Sequence, residues 1–222
     1  MRIAYIAAGA AGMYCGSCLH DNTLAAALLK RGEEVLLVPT YTPLRTDESD
    51  VSIPRVFFGG INVYLQQKLA LFRNTPWWLD RLLDQRWLLN LASRGGTSID
   101  PAQLGGLTVS IPRGGEEAES KEIDKLVQWL IDDVKPDVVH LSNSMLVGLA
   151  RRIAERCGPP VVCTLSGEDL FLEQLKPPHN QVARSLLRER VAQVDAFVAL
   201  NGYYADFMAE YLSVSRERIH VI

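Results

Sequence analysis

No stretch of this chain is apolar for the roughly 20 residues that a membrane-crossing helix needs. The opening run, residues 2–8, carries one positive charge and is far too short for a signal or transmembrane segment. It fits a buried strand. Cysteine is scarce, at four in 222 residues. Cys15 and Cys18 lie close together, and Cys157 and Cys163 sit in apolar surroundings, which is not the framework of a small secreted domain. The expected compartment is therefore the cytoplasm. Charge of either sign is nowhere concentrated: the formal net charge is -3, with sequence pI ≈ 5.8. Without a basic stripe, nucleic acid is excluded as the main partner. The two locally basic places, Arg151-Arg152 and residues 184–190, read as solvated helix faces. Two nucleotide signatures are also missing. The first glycine loop reads Gly9-Ala10-Ala11-Gly12 in place of the dinucleotide fingerprint, and the second strand ends in Val38-Pro39-Thr40 with no acidic residue to hold a ribose. No lysine followed by Ser or Thr completes a phosphate loop.

What is present is a regular alternation. With 48% hydrophobic residues, the chain can build one large core. Residues 2–8 read as a strand, 21–30 as a helix stopped by Gly32, and 34–39 as a continuous apolar run of the kind buried in a parallel sheet. The pattern returns as a helix over 122–134 broken by Pro136, then a strand over 137–141. A helix over 145–157 and a strand over 160–165 follow, then a helix over 182–193, a strand over 195–200, a helix over 203–212 and a last strand from 218. Strands alternating with helices predict a doubly wound, mostly parallel α/β sheet with helices on both faces, Rossmann-like, with ligands at the carboxyl ends of the strands. An irregular insertion interrupts it at about 41–119. There, 51–67 reads as a hairpin turning at Gly59-Gly60, and Trp77, Trp78 and Trp87 recur at helical spacing over 72–91, a pattern that packing alone explains. Residues 93–98 and 113–116 read as loops. The alternation stops in a strand with no helix after it, so one domain, 1–222, is expected to lack a C-terminal partner domain.

Candidate functional residues fall where this topology puts ligands. The loop joining the first strand to its helix contains Gly12, Cys15, Gly16, Ser17, His20 and Asp21. Glycines let a backbone approach a phosphate, and a helix start presents unpaired N–H groups with partial positive charge. Cys15 and Cys18 also have the spacing of a thiol-redox pair, and with His20 they supply three of the four ligands of a zinc site. A non-catalytic nucleotide- or phosphate-binding module and a redox or metal protein thus stand beside an enzyme. Polar residues also follow three later strands: Ser142 and Asn143, then Ser166, Glu168 and Asp169, then Asn201. Each suits either a ligand or the cap of the next helix.

In their order, these segments resemble a known family. The helix end Lys30-Arg31-Gly32-Glu33-Glu34-Val35, the segment Gly59-Gly60-Ile61-Asn62-Val63-Tyr64, Pro136-Asp137-Val138-Val139-His140, Val161-Val162-Cys163-Thr164-Leu165-Ser166, Ala196-Phe197-Val198-Ala199-Leu200-Asn201 and Ile219-His220-Val221-Ile222 run as in the N-terminal domain of GT-B glycosyltransferases of the group 1, glycogen and starch synthase type. The resemblance implies a retaining transfer from a nucleoside-diphosphate sugar to the hydroxyl of a carbohydrate or lipid acceptor, with no metal and no cofactor besides the donor. It also implies that this half binds acceptor, that its first loop closes over the donor diphosphate, and that a C-terminal domain holds the nucleotide. A lipid acceptor would put the protein peripherally at a membrane. Two departures stand out: Ser166 occupies a position where the family usually has histidine, and of the histidines expected after the third strand only His140 remains. No catalytic residue is assigned on sequence grounds.

Overall fold

In the computed structural model, which describes residues 1–9, 16–40, 43–57 and 120–222, every apolar run among them becomes a strand of one sheet. The strands are β1 (Arg2–Ala7), β2 (Glu34–Pro39), β3 (Val138–Leu141), β4 (Val161–Leu165), β5 (Ala196–Ala199) and β6 (Ile219–Val221). All neighbours pair in parallel, in the order β2-β1-β3-β4-β5-β6. The order reverses between β1 and β3, which opens a crevice at their carboxyl ends.

The helices are α1 (Gly16–Lys30), α2 (Ser120–Trp129), α3 (Ala150–Arg156), α4 (Glu168–Gln174), α5 (His179–Arg190) and α6 (Gly202–Leu212). Alternation along β1 shows how they divide between the faces. Ile3, Tyr5 and Ala7 join Cys18 and Ala25 of α1 in one core cluster, whereas Ala4 and Ile6 join the larger cluster beneath Ile123, Leu126 and Val127 of α2. A strand sandwiched in this way must be apolar on both sides, which is why β1 and β2 read as unbroken apolar runs.

Several boundaries differ from the expectation. Helix α1 begins five residues before 21, because Gly16-Ser17 looks like loop by composition while Cys18 and Asp21, one turn apart, are both buried against the sheet. Its C-terminus behaves as expected, with Gly32 at φ +87 and the Gly32 and Glu33 amides bonded to the carbonyls of Leu29 and Leu28. Helix α2 passes into a wider turn, Leu130–Val134, before Pro136. The helix expected over 145–157 is a tight turn, Ser144–Leu149, followed by α3. Helix α4 was not anticipated, since seven residues are too few to display a periodicity.

The first arm of the expected hairpin is not a strand. Residues 43–57 instead lie along α1 and β2, with one parallel bridge from Ser52 to Leu37. The side chain of Asn22, fully buried, ties them down by donating to the Ser49 carbonyl and accepting from the Val51 amide, both at 3.0 Å. The rest of that hairpin, the tryptophan-rich stretch and the loops at 93–98 and 113–116 lie outside the described residues. Of the basic places, Arg151 pairs with Glu155 at 2.8 Å, Arg152 meets Asp124 at 3.0 Å, and Arg184 faces Glu173 at 3.8 Å. Among the described residues, no helix is long and apolar enough to cross a membrane.

Phe197, fully buried in β5, belongs to the larger cluster. Its replacement by Ala is expected to remove about 3–5 kcal/mol of stability, read from denaturant unfolding of the chain.

Candidate functional site

Between α1 and the sheet, the core is not wholly apolar. Tyr5 of β1 and His140 of β3 are register partners, and their rings stack at 4.4 Å with 2° between planes. The Tyr5 hydroxyl donates to Asp21 Oδ1 at 2.7 Å, and His20 Nδ1 lies 3.4 Å from the same oxygen. On the other side, His140 Nε2 is 2.7 Å from Thr164 Oγ1 at the end of β4. Polar groups from three strands and one helix thus form a continuous layer in which each buried group has a partner, as burial requires.

Burial sets the protonation states in this layer. Desolvation, with a lesser effect from the neighbouring His20, pushes the His140 imidazole down to about 4. The Tyr5 phenol is pushed far above its ordinary value by burial and then by the Asp21 carboxylate. His20 moves the other way: its hydrogen bond to Asp21 outweighs desolvation and raises its pKa.

Above this layer lies a cavity of about 300 Å³ at the carboxyl ends of β4 and β5. Of the sequence candidates, Gly16, Ser17, His20, Ser166 and Asn201 line it. They come from three separate chain segments. The cavity also takes in Thr164, Leu165, Gly167, Leu200 and Tyr204, which sequence reasoning did not select. Tyr204 had a usable signal, being three residues beyond Asn201 and so one helical turn on. Thr164 belongs to the polar stretch that ends β4, but its pairing with His140, 24 residues away, leaves no mark in the sequence.

Several candidates hold the walls. Asn143 Oδ1 accepts from the Met145 amide at 3.1 Å, and Asn201 Oδ1 from the Tyr204 amide at 2.8 Å, so both are helix caps. The Glu168 carboxylate, nearly buried, accepts from the Ser144 amide at 2.9 Å and from the Ser166 amide at 2.6 Å. It thereby clamps the loops after β3 and β4 together. Between these anchors, Gly167 adopts φ +92, its amide donates to the Tyr204 hydroxyl at 2.8 Å, and that hydroxyl donates to Asp169 Oδ1 at 2.6 Å. Burial, reinforced by Glu168, raises the Tyr204 pKa, so the phenol stays a neutral donor. The hydroxyls of Ser142 and Ser144 are buried with no hydrogen-bond partner among the described residues.

Gly12 and Cys15 lie outside the described residues, so the Cys15–Cys18 pair cannot be placed. Cys18 is buried against the sheet, Cys163 is fully buried in β4, and Cys157 is half-buried at the end of α3. Among the described residues, no three His, Cys, Asp or Glu side chains gather in a metal-binding group.

Two stability measurements check this arrangement. Because His140 stays neutral in the fold to about 4 while an unfolded histidine charges near its ordinary value, stability should fall as pH drops through that window, by on the order of 3 kcal/mol. His20, with its raised pKa, acts in the opposite sense. His140→Gln should flatten the fall, as seen by urea unfolding at a series of pH values. Glu168→Ala leaves two loop amides without their acceptor and should cost about 2–4 kcal/mol, measured at neutral pH.

Comparison with known proteins places this geometry. The family model described as "Glycosyl transferase 4-like domain" matches residues 22–222. Among solved structures, the fold resembles the lipopolysaccharide outer core galactosyltransferase WaaB in its apo form, at 12% identity and TM-score 0.50, over 100% of this chain and 45% of that one. Anabaena Alr3699/HepE in complex with UDP is similar at 14% identity and TM-score 0.44, over 100% and 43%. Arabidopsis thaliana UGT89C1 complexed with quercetin is similar at 15% identity and TM-score 0.44, over 100% and 50%. The chain spans about half the length of these structures or less. None of the curated proteins matches it in sequence. A parallel sheet whose order reverses beside β1 and a family match over nearly the whole length lead to one assignment: this chain belongs to the glycosyl transferase 4-like family, with a Rossmann-like α/β fold of the kind seen in GT-B structures.

Proposed function

We propose that this chain is the acceptor-side half of a retaining glycosyltransferase, of the group 1, glycogen and starch synthase-like type. It helps move a hexosyl unit from a nucleoside-diphosphate sugar to an acceptor hydroxyl. One observation carries the reading. In a chain of this family, the start of α1 and the ends of β4 and β5 converge on a single cavity of about 300 Å³.

Each candidate has a place in this scheme. Gly16 and Ser17 open a 15-residue helix, where backbone N–H groups lack intrahelical partners and suit the donor diphosphate. Gly12 and Cys15 precede them in the same loop. Ser166, Asn201 and Tyr204 offer hydroxyl and amide groups to a carbohydrate acceptor. Asp21, Asn143, Glu168 and Asp169 hold these groups in position, and Ser142, whose hydroxyl has no hydrogen-bond partner among the described residues, follows β3 beside them. Rigid supporting bonds of this kind keep reacting atoms in register, which is a large part of what an enzyme contributes. A second Rossmann-like domain supplies the nucleotide pocket and the groups that stabilise the departing phosphate, so this half binds donor weakly and does not catalyse alone. No metal or further cofactor takes part. The protein works in the cytoplasm, against a membrane surface where its acceptor is a lipid.

A donor screen on the complete protein tests the reading. Transfer from a nucleoside-diphosphate sugar is expected, with the product's anomeric configuration, read by NMR, the same as the donor's. Absence of transfer from UDP-, ADP- and GDP-sugars alike would sink it. Ser166→Ala is expected to raise the acceptor KM about three- to tenfold, the worth of one neutral hydrogen bond, with kcat little changed. Calorimetry separates this reading from a self-sufficient nucleotide-binding module: the 222-residue chain alone should bind UDP-glucose far more weakly than the complete protein does.

A further inference from the structure

We propose that Tyr204 is a positioning residue of the transfer reaction, holding Ser166 and Asn201 where these two meet the acceptor. The inference rests on the transferase reading and deepens it. Tyr204 lies on α6, yet its amide and its hydroxyl both serve the loops of the cavity. The amide donates to Asn201 Oδ1 at 2.8 Å. The hydroxyl accepts from the Gly167 amide at 2.8 Å and donates to Asp169 Oδ1 at 2.6 Å.

The bond to Gly167 fixes Ser166. The Ser166 carbonyl and the Gly167 N–H belong to one planar peptide, so holding that N–H on Tyr204 also fixes ψ of Ser166. On the other side, the Ser166 amide donates to Glu168 Oε2 at 2.6 Å, which holds the preceding peptide. With both flanking peptides held, the Cα–Cβ bond of Ser166 has one direction, and its hydroxyl is confined to the few staggered positions about that bond. Local structure alone would not do this. Gly167 sits at φ +92, where a glycine has no preference over ordinary backbone, and the space where a Cβ would stand is open to 4 Å. The bond to Tyr204 is therefore what keeps the peptide between Ser166 and Gly167 from rotating.

Asn201 is set by the same residue. With Oδ1 taken by the Tyr204 amide, its Nδ2 group is the donor left for a ligand. One residue thus places a hydroxyl after β4 and an amide after β5 on the same cavity wall. Asp169 orients the phenol: by accepting its hydrogen, it turns the oxygen lone pairs toward Gly167 and the cavity. Burial, reinforced by Glu168, keeps the phenol protonated, so the donated bond persists. Glu168 differs from Tyr204 in also holding the Ser144 amide, so its loss loosens two loops together. Among the described residues, the Tyr204 hydroxyl serves Gly167 and Asp169 alone, and it can be removed without touching the rest.

Kinetics on the complete protein test the assignment, with methyl and octyl glycosides of glucose, galactose and mannose as acceptors and UDP-, ADP- and GDP-sugars as donors. Tyr204→Phe keeps the ring and its stacking on Phe207, 6.1 Å away, and removes the hydroxyl alone. The acceptor KM should rise about three- to tenfold, as for Ser166→Ala, with kcat little changed. In a Ser166→Ala background the same change should add no more than about twofold, because the hydroxyl being positioned is gone. Asp169→Ala should copy Tyr204→Phe, and Asp169→Asn, whose side-chain oxygen still accepts the phenol hydrogen, should recover most of the loss. That pair reads the same role if Tyr204→Phe does not fold. A residue that served only the fold would lower Tm and leave the KM where it was. An unchanged KM in Tyr204→Phe, or equal rises with and without Ser166, would overturn the role of Tyr204 while leaving the transferase reading intact. Transfer to none of the glycosides from any of the donors would instead take down that reading and this inference with it.

Discussion

The hydrogen bond from Tyr5 to Asp21 determines where α1 sits on the sheet, and much of the site follows from it. Burying a tyrosine hydroxyl on an inner strand of a parallel sheet is costly without an acceptor, and Asp21 is the acceptor that α1 brings. Meeting that need fixes both the height and the rotation of the helix. Cys18 and Ala25 then face the apolar part of β1, while His20 and the first turn of α1 are carried to the strand ends. The stacking of Tyr5 on His140 carries the constraint across to β3, and the bond from His140 to Thr164 carries it to β4. One polar layer thereby spans the place where the strand order reverses.

The walls of the cavity follow a different rule. Loops after parallel strands bring backbone amides to the strand ends, and these amides need acceptors. In this chain the acidic side chains meet the need: Glu168 ties together the turns after β3 and β4, and Asp169, through Tyr204, ties α4 to α6. Because the carboxylates are turned inward, the polar side chains on the cavity surface are hydroxyls, an amide and an imidazole, set beside Leu165 and Leu200. This inward turn explains how an acidic chain can present a site without negative side chains.

Much of the fold was legible from sequence because a buried parallel strand is a short, unbroken apolar run, and six such runs separated by helical patterns leave few topologies. Gly32 and Pro136 marked helix ends through backbone restrictions that act locally. Failures came where an element is stabilised from outside itself. The first turn of α1 looked like loop because its buried residues, Cys18 and Asp21, face the sheet and are not part of an apolar stripe. Helix α4 escaped notice because it is seven residues long and is held by Tyr204 and the clamp at Glu168. At the site, the strand-end rule located Ser166 and Asn201, but it could not separate a residue facing the cavity from one capping a helix. Asn201 does both, whereas Asn143 caps a turn and does not line the cavity.

The sequence by itself determined the alternation of strands and helices, the parallel sheet and the end of the sheet where ligands belong. These follow from hydrophobic period and local backbone rules, which act between residues close along the chain. Only the tertiary structure decided that Tyr5, Asp21 and His140 form one buried layer, that Glu168 and Asp169 serve the walls, and that His20 is left bordering the cavity. Those outcomes depend on hydrogen bonds between residues far apart in sequence, whose partners are chosen by the burial of each group and not by its neighbours in the chain.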